Sequence, residues 1–171
     1  KKGFPPLHIK GKELHGGRVS ITSDVSSQFI SSLLLIAPKL KNGLQLQLKN
    51  TQLSRPYTEM TLSILEQLEF SVNSSYDFID VKAGKANKSQ IRVESDWSSA
   101  AFFYNALLVY DGELQLFLEG LQYPSIQGDD FLIQLYSFLG IKTQIKEGGV
   151  LLSKNDRPKN LDRDFDFTDT P

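Results

Sequence analysis

Polar and apolar side chains alternate through Arg18-Val19-Ser20-Ile21-Thr22, the pattern of a strand with one wet face. From Phe29 to Ala37 the chain becomes an almost unbroken apolar run of helical length. The join between them, Ile21-Thr22-Ser23-Asp24-Val25-Ser26-Ser27-Gln28, predicts a strand running into a capped helix. Ser23 or Asp24 is the expected N-cap, since a short oxygen-bearing side chain can accept an orphan N–H of the first turn. Ser26, Ser27 and Gln28 then fall in that turn. There, hydroxyls, an amide and free backbone N–H groups meet the positive end of the helix dipole, a setting suited to phosphate. On these residues alone, a serine-rich helix start with no ligand is the simpler reading.

The patterning then repeats. Gly3-Phe4-Pro5-Pro6-Leu7 is an extended opening, and Leu44 to Lys49 alternates strictly as a second strand. Ser54-Arg55-Pro56-Tyr57 opens a second helix, with Pro56 in a first-turn position and Met60, Ile64, Leu65 and Leu68 as its apolar face. Residues 70–81 predict two short strands, and Gly84 to Ser89 a polar connector. Ile91-Arg92-Val93-Glu94-Ser95-Asp96-Trp97-Ser98-Ser99-Ala100 then restates the opening stretch. Ser23, Asp24, Ser26 and Ser27 are answered by Ser95, Asp96, Ser98 and Ser99 at one constant shift. A fresh apolar helix over Ala100 to Tyr110 follows, Leu114-Gln115-Leu116 answers Leu44-Gln45-Leu46, and Ser125 answers Ser54. Asp166-Phe167-Thr168-Asp169-Thr170-Pro171 begins a third copy. The unit is β-α-β-α-β-β, present twice with the start of another. Its polarity reverses that of doubly wound folds, where strands are apolar and helices amphipathic. Here strands alternate and helices are apolar nearly all round, so helices are expected inside and the sheets around them.

Composition narrows the chemistry. Hydrophobic residues make up 40% and charged residues 23% of the 171, enough for a core and without a disordered signature. A formal net charge of -1 argues against a dedicated nucleic-acid binder. The absence of cysteine excludes disulfides, thiolate metal sites and a cysteine nucleophile. His8 and His15, both on a polar N-terminal stretch, read as solvated loop positions rather than metal ligands. No apolar run approaches the ~20 residues that span a bilayer. A start on Lys1-Lys2, without methionine or a signal peptide, suggests a piece of something longer.

The Ser26-Ser27-Gln28 and Ser54-Arg55-Pro56-Tyr57 pair, with Ser95-Asp96-Trp97-Ser98-Ser99-Ala100, Asp166 to Pro171 and the Gly3 to Leu7 opening, resembles the middle part of the 5-enolpyruvylshikimate-3-phosphate synthase family. The resemblance covers essentially the whole chain. It implies an α/β fold of two inside-out α/β barrels built of β-α-β-α-β-β units. Residues 1–93 would then close the first barrel domain and 94–171 begin the second, with the crossover near Val93–Asp96. It implies transfer of the enolpyruvyl group of phosphoenolpyruvate to the 5-hydroxyl of shikimate 3-phosphate, by addition and then elimination of phosphate. It further implies no cofactor, a cytoplasmic location on the route to chorismate and aromatic amino acids, and no nucleic-acid or membrane partner.

Residue by residue, Ser26, Ser27, Gln28, Ser54 and Tyr57 look like shikimate-3-phosphate contacts, Tyr57 along the ring, and Gln28 also like a phosphoenolpyruvate contact. Ser98 and Ser99 read as structural caps, because Ala100 stands where Gln28 stands in the first copy. Trp97 reads as packing. The acidic run Asp162 to Asp169 reads as a strand with one wet face rather than paired catalytic carboxylates. No catalytic residue is expected within the chain: the family's proton-transfer aspartate would follow Pro171, and Asp169 matches the cap position of Asp24. The chain alone is therefore expected to be inactive, with sheet edges and apolar surface that favour self-association. Two alternatives stand beside this reading: the related transferase acting on a UDP-sugar, and a non-catalytic repeat module that uses its wet sheet faces for protein contacts.

Overall fold

A computed structural model of the chain describes residues 6–22, 26–49, 55–155, 162, 164 and 165. The first half is built of β1 (Gly17–Thr22), α1 (Ser27–Ile36), β2 (Leu44–Lys49), α2 (Arg55–Gln67), β3 (Val72–Ser74) and β4 (Phe78–Val81). Its four strands lie in the order β1-β2-β4-β3. β1 pairs parallel to β2, from Gly17 opposite Leu44 to Thr22 opposite Lys49, and the other pairings are antiparallel. This is the expected β-α-β-α-β-β unit. Alternation along β2 turns Leu44, Leu46 and Leu48 inward, while Gln45 and Gln47 lie on the other face, where Gln45 pairs with Asp80 of β4. On the apolar face, Ile30 and Leu34 of α1, Leu62 and Leu65 of α2, and Ile79 and Val81 of β4 complete one core.

The second half comprises α3 (Trp97–Val109), β5 (Gln115–Glu119), α4 (Leu132–Phe138), β6 (Ile141–Lys146) and β7 (Gly149–Lys154). Its sheet runs β5-β7-β6, all antiparallel, which reproduces β2-β4-β3 of the first half. A separate core gathers Trp97, Ala100, Tyr104 and Leu107 of α3 with Leu121, Tyr136, Ile141, Val150 and Leu152. The repeat read from the patterning is thus present in the topology.

Three expectations need correction. Residues 91–95 form no strand; the segment crosses from one core to the other and meets β5 only at its end. There the Ser95 amide donates to the Gly120 carbonyl at 3.2 Å and its hydroxyl to the Glu119 carbonyl at 3.1 Å. Gly120, at φ 83°, permits that approach, since a Cβ would collide with the Ser95 hydroxyl. Nor are the apolar helices buried all round. Each packs one face on its sheet and leaves the other bare, with Phe29 62%, Phe102 77% and Val109 76% exposed. No closed barrel forms among the described residues. Finally, Asp162, Asp164 and Phe165 carry no strand; Phe165 packs edge-on against Phe131 and Phe138, at 6.0 and 5.5 Å between ring centres. The rest of that acidic run, with the third repeat, lies outside the described residues.

Candidate functional site

The helix α1 starts later than the patterning suggested. Ser26, not Ser23 or Asp24, is its N-cap: the Ser26 hydroxyl accepts the Gln28 amide, and the Ser26 carbonyl accepts the Phe29 amide at 2.9 Å. The bond from Gln28 is long, 3.4 Å, so this N–H is only loosely engaged. Ser23 and Asp24 lie outside the described residues. Ser26 is therefore the cap, with Ser27 and Gln28 opening the helix, so two hydroxyls, an amide and the N–H groups that a first turn leaves without intrahelical partners stand together. Ser27 is 8% exposed, whereas Gln28 faces out.

α2 packs beside α1 and brings its own first turn to the same place. Tyr57 stands there, 36% exposed rather than buried in the core. A groove of about 480 Å³ is lined by Ser26, Ser27, Gln28, Ser31, Tyr57, Met60 and Thr61. Four of the five residues expected from the sequence thus share one groove; Ser54 lies outside the described residues. Arg55, next along α2, is held elsewhere: its guanidinium pairs with Glu59 at 2.8 Å and lies over the Tyr76 ring.

The face of α2 also differs from expectation. Thr58, Thr61, Leu62 and Leu65 are buried against α1 and the sheet, while Met60 and Ile64 are half-exposed. Both line a second groove, of about 560 Å³, between the halves, with Ile91, Val93, Pro124 and Ile126 as further apolar wall and Glu94, Asp96 and Asp129 as carboxylates. Tyr57 and Met60 line both grooves, which therefore lie side by side. Burial, then the negative charges of Asp129 and Asp96, hold the Tyr57 phenol above its ordinary range. Burial likewise raises Asp129, with Asp96 and Asp130 adding to the effect. Tyr57 is thus a neutral hydroxyl at any physiological pH.

The repeat of this turn in the second half is chemically closed. Asp96 caps α3, accepting the Ser98 amide at 2.9 Å and the Ser98 and Ser99 hydroxyls at 2.7 and 2.5 Å. The Ser99 and Ser98 hydroxyls hold its carboxyl below the usual carboxylate range. The Gln127 side chain accepts the Trp97 amide and donates to the Ser95 carbonyl, both at 2.9 Å. A carboxylate and a carboxamide oxygen of the protein itself therefore occupy the helix start that the first half leaves open. Trp97 is fully buried, its indole N–H donating to the Gln122 carbonyl at 2.9 Å. Among the described residues, no group of His, Asp and Glu has the geometry to hold a metal ion, and no helix is long and apolar enough to cross a membrane.

A sequence model of EPSP synthase (3-phosphoshikimate 1-carboxyvinyltransferase) matches residues 1–163. The chain belongs to the EPSP synthase family. Curated relatives named 3-phosphoshikimate 1-carboxyvinyltransferase include one from Bacteroides fragilis, 39% identical over 166 residues, which cover 96% of this chain and 40% of that protein. One from Buchnera aphidicola is 36% identical over 159 residues, covering 91% of this chain and 36% of that protein. One from Pseudoalteromonas translucida is 35% identical over 144 residues, covering 82% and 33%. The chain thus spans between a third and two fifths of the length of these EPSP synthase relatives. Ser31, Thr61, Gln127 and Asp129 were not singled out from the sequence. The first two carried a signal: Ser31 follows Ser27, and Thr61 follows Tyr57, at the four-residue helical spacing that puts each pair on one face.

Proposed function

We propose that this chain is the acceptor-phosphate segment of an enzyme that transfers the enolpyruvyl group of phosphoenolpyruvate to the 5-hydroxyl of shikimate 3-phosphate. The observation that carries the reading is the groove in which the starts of α1 and α2 meet, bearing Ser26, Ser27, Gln28 and Tyr57. Its family membership supports the reaction. Ser26 and Ser27 donate hydroxyl hydrogen bonds to the phosphate, together with first-turn N–H groups, so that no lysine is required. Ser54 adds a further phosphate contact, and Tyr57 lies along the shikimate ring. Gln28, facing out of the turn, reaches toward phosphoenolpyruvate as well as the acceptor phosphate. The acceptor hydroxyl adds across the enolpyruvyl double bond, and loss of inorganic phosphate then restores the alkene. The cations that grip phosphoenolpyruvate and the proton-transfer groups come from other parts of the enzyme.

Residues 1–93 belong to the end of one inside-out α/β barrel and 94–171 to the start of the other. Two separate cores and two separate sheets support that division. The bare faces of α1 and α3 are those that adjoining units of each barrel cover, and in the isolated chain they favour self-association. Such an enzyme works in the cytoplasm on the route to chorismate.

Titration calorimetry of the chain with shikimate 3-phosphate and, separately, with a UDP-sugar tests the assignment. Saturable binding of shikimate 3-phosphate, at about millimolar affinity because nothing closes over the ligand, is the expected result. Binding of neither, or of the UDP-sugar alone, overturns it.

A further inference from the structure

The contact between α1 and α2 is apolar through Ile30, Leu34, Leu62 and Leu65, yet at the end nearest the groove it carries hydroxyls. The Thr61 hydroxyl, 7% exposed at the residue level, lies 3.0 Å from the Ser31 hydroxyl and 3.0 Å from the Tyr57 carbonyl. The Ser31 hydroxyl in turn lies 3.4 Å from the same carbonyl. The three oxygens form a triangle that ties α1 to the first turn of α2. An apolar side chain at position 61 would bury that interface at no desolvation cost, whereas the buried Thr61 hydroxyl must find a partner to avoid one. What hydroxyls add is direction: leucines can slide along one another, but a hydrogen bond holds only over a few tenths of an ångström.

Ser31 lies one turn beyond Ser27, and Thr61 one turn beyond Tyr57. The triangle is therefore the fixed point closest to both faces of the groove. We propose that Ser31 and Thr61 are positioning residues: they pin the register of α2 against α1 and so set the distance between the Ser26–Gln28 turn and Tyr57. For acceptor binding the inference rests on the proposed function. The register itself does not.

The test uses the ¹⁵N-labelled 171-residue chain. Without ligand, Thr61→Val and Ser31→Ala are each expected to shift the amide resonances of Ser27, Gln28 and Tyr57, and the double variant to shift them no further. Ser63→Ala, whose hydroxyl accepts from Gln67 one turn on, serves as the control and leaves them in place. Thr61→Ser, which keeps the hydroxyl, returns them to their wild-type positions and covers the case in which Thr61→Val fails to fold. Unmoved resonances at Ser27 and Gln28 in a folded Thr61→Val protein overturn the register pin whatever the ligand does. In the second arm, shikimate 3-phosphate is titrated against the same proteins. Thr61→Val is expected to weaken binding about fivefold, the size of one neutral hydrogen bond, with Thr61→Ser close to wild type. Equal affinity of Thr61→Val and wild type sinks the positioning role while leaving the proposed function intact. A wild-type chain that does not respond to shikimate 3-phosphate sinks the proposed function, and the first arm then decides the pin by itself.

Discussion

Ser27 is buried at the start of α1 without serving as its cap, so the proposed role in binding can be tested apart from any role in folding. Ser27→Ala is expected to weaken shikimate 3-phosphate binding by roughly 1.5–3 kcal/mol, the size of one hydrogen bond to a charged group. Urea unfolding should change little, since alanine is the best helix former. Calorimetry and denaturation of the two proteins check both halves of the statement. Unchanged affinity removes Ser27 from the site. Ser26→Ala should differ, because this hydroxyl is the cap and its loss costs stability as well, typically about 1 kcal/mol.

Helix α3 shows what the same turn becomes when the protein supplies its own oxygens. Asp96→Ala removes the acceptor of one amide and two hydroxyls and is expected to destabilise the second half by about 1 kcal/mol. Because its folded carboxyl sits below the usual range, the stability Asp96 contributes is present above about pH 4 and declines as pH falls further. Unfolding midpoints at pH 7 and pH 3 should therefore differ less in Asp96→Ala than in wild type. Deeper along α3, the Tyr104 hydroxyl shares a 2.7 Å hydrogen bond with Thr143, and its ring packs 4.7 Å from Tyr136. Burial pushes its phenol up to about 12. An unfolded tyrosine ionises near pH 10. The stability of the neutral buried phenol is therefore intact below pH 10 and lost between 10 and about 12, on the order of 2 kcal/mol. Tyr104→Phe should flatten that alkaline limb in urea melts at pH 9 and 11.5, although it leaves Thr143 short of a partner and lowers stability at neutral pH by about 1 kcal/mol.

On the scale of the molecule, α1 and α3 each leave an apolar face exposed. Sedimentation velocity is expected to show association that grows with concentration, and the pair of changes Phe29→Glu and Phe102→Glu to suppress it, since both rings are mostly exposed. Association that persists in the double variant would place the contact elsewhere. Supplied with phosphoenolpyruvate and shikimate 3-phosphate, the 171-residue chain is expected to release no phosphate above background. Catalysis by positioning and preorganised charge needs both sides of a cleft, and this chain spans two fifths or less of the relatives it matches. Turnover near that of a complete family enzyme would relocate the active site into these residues.

The periodicity of this chain by itself settled the order and kind of nearly every element. Alternation at Leu44–Lys49 and the apolar run from Phe29 are local properties, and local sterics and capping act on them directly. The repeat was legible for the same reason. Ser26, Ser27, Gln28 and Tyr57, which share a groove, were singled out by the family resemblance and not by periodicity. What the tertiary structure alone decided depends on neighbours distant in sequence. Whether residues 91–95 pair as a strand depends on β5, and there only Ser95 reaches it. The closure of the α3 helix start depends on Gln127, thirty residues from the Trp97 amide it accepts. The buried face of α2 was set by packing rather than by hydropathy: Thr58 and Thr61 are buried, Thr61 against Ser31 of α1, while Met60 and Ile64 are left to a groove. A threonine inside a helix contact is stable only where another oxygen meets its hydroxyl, and that meeting is a fact of three dimensions.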